Sequence, residues 1–141
     1  MTLTTQHLSD PFGKASFRAE GKGDPVVLIH GVGMQSAAWG PQLKALSKTH
    51  RVFALDMPGH GGSAPLQSGA QLPEFIAWLH AALLAIGTGP VALAGHSIGA
   101  LIAGGYEITH PEMVTRVALL NGVYRRDEAA SVAVSGRAED I

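Results

Sequence analysis

The sequence predicts an α/β fold, a mostly parallel sheet with helices on both faces. Short apolar, β-branched runs at 26–30, 51–56, 91–95 and 116–122 alternate with helical-period segments at 36–47, 72–86 and 97–110. That alternation is the order of a parallel sheet joined by right-handed crossovers. From Phe75 to Tyr106 there is no Asp, Glu, Lys or Arg, as in strands buried on both faces. The same stretch raises a membrane span as an alternative. Gly87, Gly89 and Pro90 in its middle, and six further Gly, His and Ser residues, favour helix, turn, strand, turn and helix.

Taken in order, residues 14–20 (KASFRAE) alternate enough for a strand, and GKGDP at 21–25 is a turn. VVLIH at 26–30 is a buried strand. GVGM at 31–34 must turn, and the helix that follows carries Trp39, Leu43 and Leu46 on one face. RVFALD at 51–56 is a strand, and PGHGGSAP at 58–65 is a loop by its Gly and Pro content. Leu72, Phe75, Ile76, Leu79, Leu83 and Ile86 mark one helical face that Gly87 ends. VALAG at 91–95 is a strand, SIGALIAGGYEITH at 97–110 a helix stopped by Pro111, and RVALLNG at 116–122 a strand. The segment 124–141 reads as an exposed amphipathic helix, set apart from the core unit 1–122.

Composition narrows the function classes. In 141 residues, 46% are hydrophobic and 15% charged, with a net charge of −1. Such a chain buries enough apolar surface to fold and is not a disordered charged tail. A pI near 6.6 lacks the basic footprint of a nucleic-acid binder. The absence of cysteine excludes a disulfide scaffold, a thiolate zinc site and a cysteine nucleophile. The first residues show no basic and apolar leader, so the expected location is cytoplasmic. No histidine–carboxylate spacing suggests a metal, and no cofactor is expected.

Gly95-His96-Ser97-Ile98-Gly99 stands at a strand-to-helix junction. This is the G-x-S-x-G pattern of a nucleophile elbow in its required context. The turn is so tight that positions two before and two after the serine must be small. Ser97 is the candidate nucleophile, and the Ile98 N–H at the helix start is a candidate oxyanion donor. The alternative is an ordinary helix start with Ser97 as N-cap. Acyl transfer needs a second N–H aimed at the oxyanion. His30-Gly31-Val32-Gly33-Met34 leaves the first strong strand, and the Val32 N–H is the candidate. Here the alternative is a glycine turn without catalytic role. A dinucleotide reading is weaker, since Ser36 stands where a third glycine is required.

Five segments together carry a family resemblance: HGVGM, the helix with Trp39 and Gln42-Leu43, RVFALDMPGHGGS, GPVALAGHSIGA and THPEMVTRVALLNG. In this order and spacing they resemble the α/β-hydrolase family over about residues 25–122. The resemblance implies that strands 26–30 and 91–95 are neighbours, with 51–56 on the far side of the first. Ligands then bind at the switch point between His30 and Ser97. It implies a mainly structural role for Asp56 through Ser63, and for Gly95, His96, Gly99, His30, Gly31 and Gly33 as elbow and turn residues. A serine at the elbow is similar to the ester, thioester, lactone, amide and carbon–carbon bond hydrolases, and unlike branches with aspartate there. The expected partner is a small-molecule acyl substrate, with neither nucleic acid nor membrane.

A serine needs a histidine base and a carboxylate to orient it, in the chain order serine, acid, histidine. After Ser97 only Glu107 and His110 offer that order. At about 1.5 Å rise per residue they lie roughly 15 and 20 Å along the helix, far from the ~3 Å a base requires. Asp127 and Asp140 have no later histidine. His96 cannot fold back onto its neighbour, His30 is a remote surrogate, and His60 reads as a solvent or turn residue. The family resemblance implies a lid and then the acid and base beyond strand 116–122. The expectation is therefore the N-terminal portion of a serine hydrolase, with an inactive fragment or an acyltransferase as alternatives.

Overall fold

The computed structural model describes residues 3–120. Six strands form one sheet: β1 (Leu3–His7), β2 (Lys14–Glu20), β3 (Pro25–Ile29), β4 (Arg51–Leu55), β5 (Val91–His96) and β6 (Val114–Leu120). Three α-helices connect the parallel strands: α1 (Gly40–Leu46), α2 (Leu72–Ile86) and α3 (Ile98–Thr109). The strand order is β1-β2-β4-β3-β5-β6. Strands β4, β3, β5 and β6 run parallel, while β2 joins β4 antiparallel and β1 joins β2 antiparallel. β3 thus has β4 on one side and β5 on the other, the adjacency that the family resemblance implies. The chain reverses its direction of winding at β3, so the C-terminal ends of β3 and β5 open a crevice at a switch point.

Side-chain alternation divides the core between the two faces. Val27, Ile29, Phe53 and Leu55 face α2 and α3, where Leu79, Leu83, Ile102 and Ala103 meet them. The intervening Leu28, Val52 and Ala54 face Trp39 and Leu43 beside α1. The expected helix at 36–47 is in fact a 3₁₀ turn at Ser36–Trp39 running into α1, with Pro41 in the first α turn. Pro is tolerated there because those N–H groups have no intrahelical acceptor. Helix α2 starts at a capping box between Gln71 and Glu74 and ends at Gly87 in the left-handed region, φ 80°.

Three expectations change. The sequence predicts no strand before residue 14, yet Leu3–His7 is a strand paired to β2 from Leu3 opposite Arg18 to His7 opposite Lys14. It is a mostly exposed edge strand, so its stability comes from the backbone ladder and no apolar alternation announces it. The buried side of α2 centres on Trp78, Leu79, Ala82 and Leu83, with Leu72 38% exposed. The face is rotated toward Trp78 because α3 and the sheet both press on it. The last strand begins at Val114; residues 121–122 of the expected strand and the expected helix at 124–141 lie outside the described residues. Among the described residues no helix is long and apolar enough to cross a membrane. The charge-free stretch is divided among α2, β5 and α3.

Candidate functional site

Ser97 stands between β5 and α3 with φ 59° and ψ −122°. It is the only non-glycine residue with positive φ among the described residues. Such a conformation costs about 1–3 kcal/mol and persists only where the surroundings over-determine it. Here the Ser97 N–H donates to the Leu120 carbonyl at 2.9 Å, and the Ser97 carbonyl accepts from Ala100 N–H at 2.9 Å. The glycines remove every obstacle. A Cβ on Gly95 would overlap the Gly99 carbonyl, and one on Gly99 would overlap the Ile29 carbonyl oxygen and sit 2.9 Å from the His30 oxygen. The start of α3 therefore packs backbone-to-backbone against the end of β3. Ile98 is the first residue of α3, where helical geometry leaves N–H groups without intrahelical acceptors and favours an anion.

The turn after β3 reaches the same place. A Cβ on Gly31 would lie 3.1 Å from the Ser97 Cβ, 3.4 Å from His96 Nδ1 and 3.4 Å from Met34 Sδ. A side chain at position 31 would thus crowd the serine. Val32 is 66% exposed and Gly33 has φ 80°. The turn is closed by Met34 N–H donating to the Gly31 carbonyl at 3.2 Å. The structure thus brings the Gly31 turn, which continues into Val32, against Ser97 at the C-terminal end of the sheet, where α3 begins at Ile98. His96, the last residue of β5, is half-buried beside them.

Two histidines tie this turn to the loop after β4. His30 is fully buried; its Nδ1–H donates to the Gly31 carbonyl at 2.7 Å and its Nε2 accepts the Met57 N–H at 3.0 Å. Burial pushes its pKa down, against the Gly31 hydrogen bond that would raise it. With one nitrogen donating and the other accepting, both ring nitrogens of His30, the residue the sequence left open as a surrogate base, are engaged in linking the turn to the loop after β4. His60 Nε2 accepts the Gly33 N–H at 3.0 Å, its Nδ1–H donates to the Pro58 carbonyl at 3.0 Å, and its ring meets His30 edge-on at 5.1 Å. The sequence left His60 in solvent or in its own turn; it does bond within its turn, to Pro58, and it has a second partner 27 residues away at Gly33.

Asp56 anchors the same loop. Its carboxylate accepts from Ser16 Oγ–H at 2.5 Å, Ser36 N–H at 2.6 Å and Gly62 N–H at 3.4 Å. A Cβ on Gly61 would overlap that carboxylate, which is why a glycine stands there. Burial alone would raise the Asp56 pKa, but the hydrogen bonds from Ser16, Ser36 and Gly62 outweigh it and hold the pKa below its ordinary value. A depressed folded-state pKa contributes stability above the unfolded-state value, about 3.9, and loses it as pH falls through the folded-state value. Asp56→Asn should therefore cost about 1.5–3 kcal/mol at neutral pH, the scale for hydrogen bonds to a charged group. Its deficit should shrink below about pH 4. Urea titrations of both proteins between neutral pH and pH 3 check this, and a deficit independent of pH contradicts it.

The remaining histidines lie elsewhere. His110, at the far end of α3, stacks on His80 with centroids 3.8 Å apart and faces Glu112 at 3.6 Å. His80 in turn bonds to the buried Tyr106 hydroxyl at 2.9 Å, whose pKa burial and then Glu112 push up to about 12. Glu107 is likewise in the last turns of α3. Neither Glu107 nor His110 joins Ser97. His7 is in β1, and His50 sits before β4, bonded to Thr49 at 2.7 Å. Among the described residues no group of three or more His, Cys, Asp or Glu is placed to hold a metal ion.

Comparison with known proteins agrees with this architecture. Residues 24–137 match the alpha/beta hydrolase fold family. The chain belongs to this family. It is 51% identical over 127 residues to (E)-2-((N-methylformamido)methylene)succinate hydrolase of Acinetobacter baylyi, spanning 90% of this chain and 48% of that one. It is 39% identical over 111 residues to a pimeloyl-(acyl-carrier protein) methyl ester esterase of Aliivibrio salmonicida, covering 72% of this chain and 37% of the esterase. The structure superposes on naproxen esterase of Bacillus subtilis with a TM-score of 0.76 at 27% identity, covering 86% of this chain and 44% of that one. The chain therefore spans half or less of the length of each of these relatives.

Proposed function

We propose that this chain carries the nucleophile and oxyanion half of a serine hydrolase that cleaves ester, thioester or lactone bonds through an acyl-enzyme. The observation that carries the reading is Ser97, held at φ 59° between β5 and α3 with the Gly31 turn against it. Ser97 Oγ attacks the carbonyl carbon, and the carbonyl π electrons move onto oxygen. The Ile98 and Val32 N–H groups receive that oxyanion. Collapse expels the alcohol or thiol, which takes the proton that left Ser97. Water then attacks the acyl carbon, the bond from that carbon to Ser97 Oγ breaks, the water proton passes to Ser97 Oγ, and the acid is released. The base that relays the proton and its carboxylate come from outside residues 3–120, since Glu107 and His110 lie along α3. The Acinetobacter baylyi relative is named for hydrolysis of a small substituted succinate. Small carboxylates bearing such a bond therefore belong among the substrates to assay.

An acyl-enzyme has a direct signature. Two esters sharing one acyl group but differing in leaving group should partition between water and added methanol in the same ratio in the full-length protein, because both pass through one intermediate. A ratio that depends on the leaving group contradicts the acyl-enzyme. The same assay addresses acyl transfer: an acceptor alcohol that outcompetes water at millimolar concentration would assign a transferase. Complete inertness toward activated esters and toward a fluorophosphonate would assign an inactive scaffold.

A further inference from the structure

The turn that carries Val32 has little to hold it in place. Val32 is 66% exposed, Met34 is 39% exposed, and Gly33 has the freest backbone of any residue type, here at φ 80°. Side-chain packing therefore does not fix the direction of the Val32 N–H. Hydrogen bonds do: the Met34 N–H closes the turn on the Gly31 carbonyl, and two histidines form a reciprocal pair between the turn and the loop after β4. His30, on the turn side, reaches across to the Met57 N–H of the loop after β4. His60, on that loop, reaches back to the Gly33 N–H. Each ring uses its second nitrogen to donate to a carbonyl of its own segment, Gly31 for His30 and Pro58 for His60. Both rings are neutral Nδ1–H tautomers in this arrangement, and they meet edge to face. The loop itself is fixed by Asp56 through Ser16, Ser36 and Gly62.

We infer that His60 is a positioning residue for the oxyanion site: its Nε2, accepting the Gly33 N–H, aims the neighbouring Val32 N–H at the carbonyl oxygen above Ser97. His30 holds the Gly31 carbonyl, which shares its peptide with the Val32 N–H, and His60 holds the next peptide at Gly33, so the two together set the orientation of the turn. This inference rests on the proposed role of Ser97 and Val32. Loss of the His60 bond frees the far side of the turn at Gly33, and an ångström of misplacement at such a site costs up to about 100-fold in rate. Ground-state binding of substrate does not use the oxyanion and should be spared.

The test uses the full-length protein and an activated ester. His60→Phe, which keeps a ring but no acceptor, should lower kcat about 10- to 100-fold with KM changed less than threefold. Its affinity for a trifluoromethyl ketone that forms a hemiketal with Ser97 should fall in parallel. His60→Gln, which restores an acceptor near the Nε2 position, should recover most of both. A His60→Phe enzyme with unchanged kcat overturns the inference. So does an equal loss in His60→Gln and His60→Phe, since only the shape of the side chain then matters. Imidazole ¹⁵N shifts of the unsubstituted protein provide a check that needs no variant. They should show Nδ1 protonated and Nε2 bare for His60, and an Nε2–H tautomer overturns the inference even if the variants do not fold. Ser97→Ala, assayed alongside, separates the two readings. Activity retained there defeats the serine mechanism itself, whereas its loss with a wild-type His60→Phe defeats the positioning role alone.

Discussion

Ser97→Ala in the full-length protein is expected to lower kcat for an activated ester by about 10⁶-fold, leaving the residual 10³- to 10⁴-fold over water that oxyanion donors and binding alone sustain. The reason is geometric. The β5–α3 turn holds the serine where the Gly31 turn and the start of α3 converge. The folded structure should survive, since the hydrogen bonds fixing the turn use the Ser97 backbone and not its hydroxyl. Ser97→Gly separates function from stability further. It removes the nucleophile as well, but glycine adopts φ 59° without the side-chain penalty. Its Tm should therefore exceed that of Ser97→Ala, the difference corresponding to about 1 kcal/mol or more of relieved strain. Steady-state kinetics and thermal melts on the two variants check both halves. A Ser97→Ala enzyme within tenfold of the parent rate contradicts the assignment of the nucleophile.

The second large effect is on folding. Gly99→Val places a Cβ inside the Ile29 carbonyl oxygen, 2.9 Å from the His30 oxygen and 3.0 Å from the Ile29 carbonyl carbon. All three are backbone atoms of β3 or the residue just after it, and β3 is paired on both sides. Neither partner can yield without breaking a ladder. The expected cost exceeds about 4 kcal/mol, the range reserved for severe steric or burial defects, so little soluble protein should accumulate. Gly104→Ala, on the same helix, should do the opposite. Its Cβ would meet only the Leu119 side chain, at 3.8 and 3.9 Å, which is ordinary contact. Alanine is favoured over glycine in a helix interior by about 1 kcal/mol, so this variant should melt at or above the parent temperature. Denaturant titration of the pair decides the matter, and a Gly99→Val protein as stable as the parent contradicts the close approach of α3 to β3.

The elbow was legible because its requirements are steric and local. Gly95 and Gly99 bracket Ser97 within five residues, and each glycine answers a backbone clash that any Cβ would produce. The strand order β4-β3-β5 was legible only as what the resemblance to the family implies, a resemblance carried by five motifs. Contacts between distant segments were less so. The bond from His60 to Gly33 and the bond from Ser16 to Asp56 join residues 27 and 40 apart. Nothing in either local sequence names its partner. β1 was missed for a different reason: Leu3–His7 is held at the edge by backbone pairing, and a mostly exposed strand needs no apolar rhythm. Trp78 was left out of the α2 face because a single helical stripe cannot anticipate a helix packed on the sheet and on α3 together.

The central claim is that Ser97 is the activated nucleophile of the full-length protein. Its most direct measurement is reaction with a fluorophosphonate, followed by mass spectrometry of the intact protein and its peptides. The reagent forms a phosphorus–oxygen bond to the serine and releases fluoride. One phosphonyl group should be incorporated per chain, on the peptide containing Gly95-His96-Ser97-Ile98-Gly99, and Ser97→Ala should incorporate none. Labelling on a different residue, or undiminished labelling of Ser97→Ala, would contradict it.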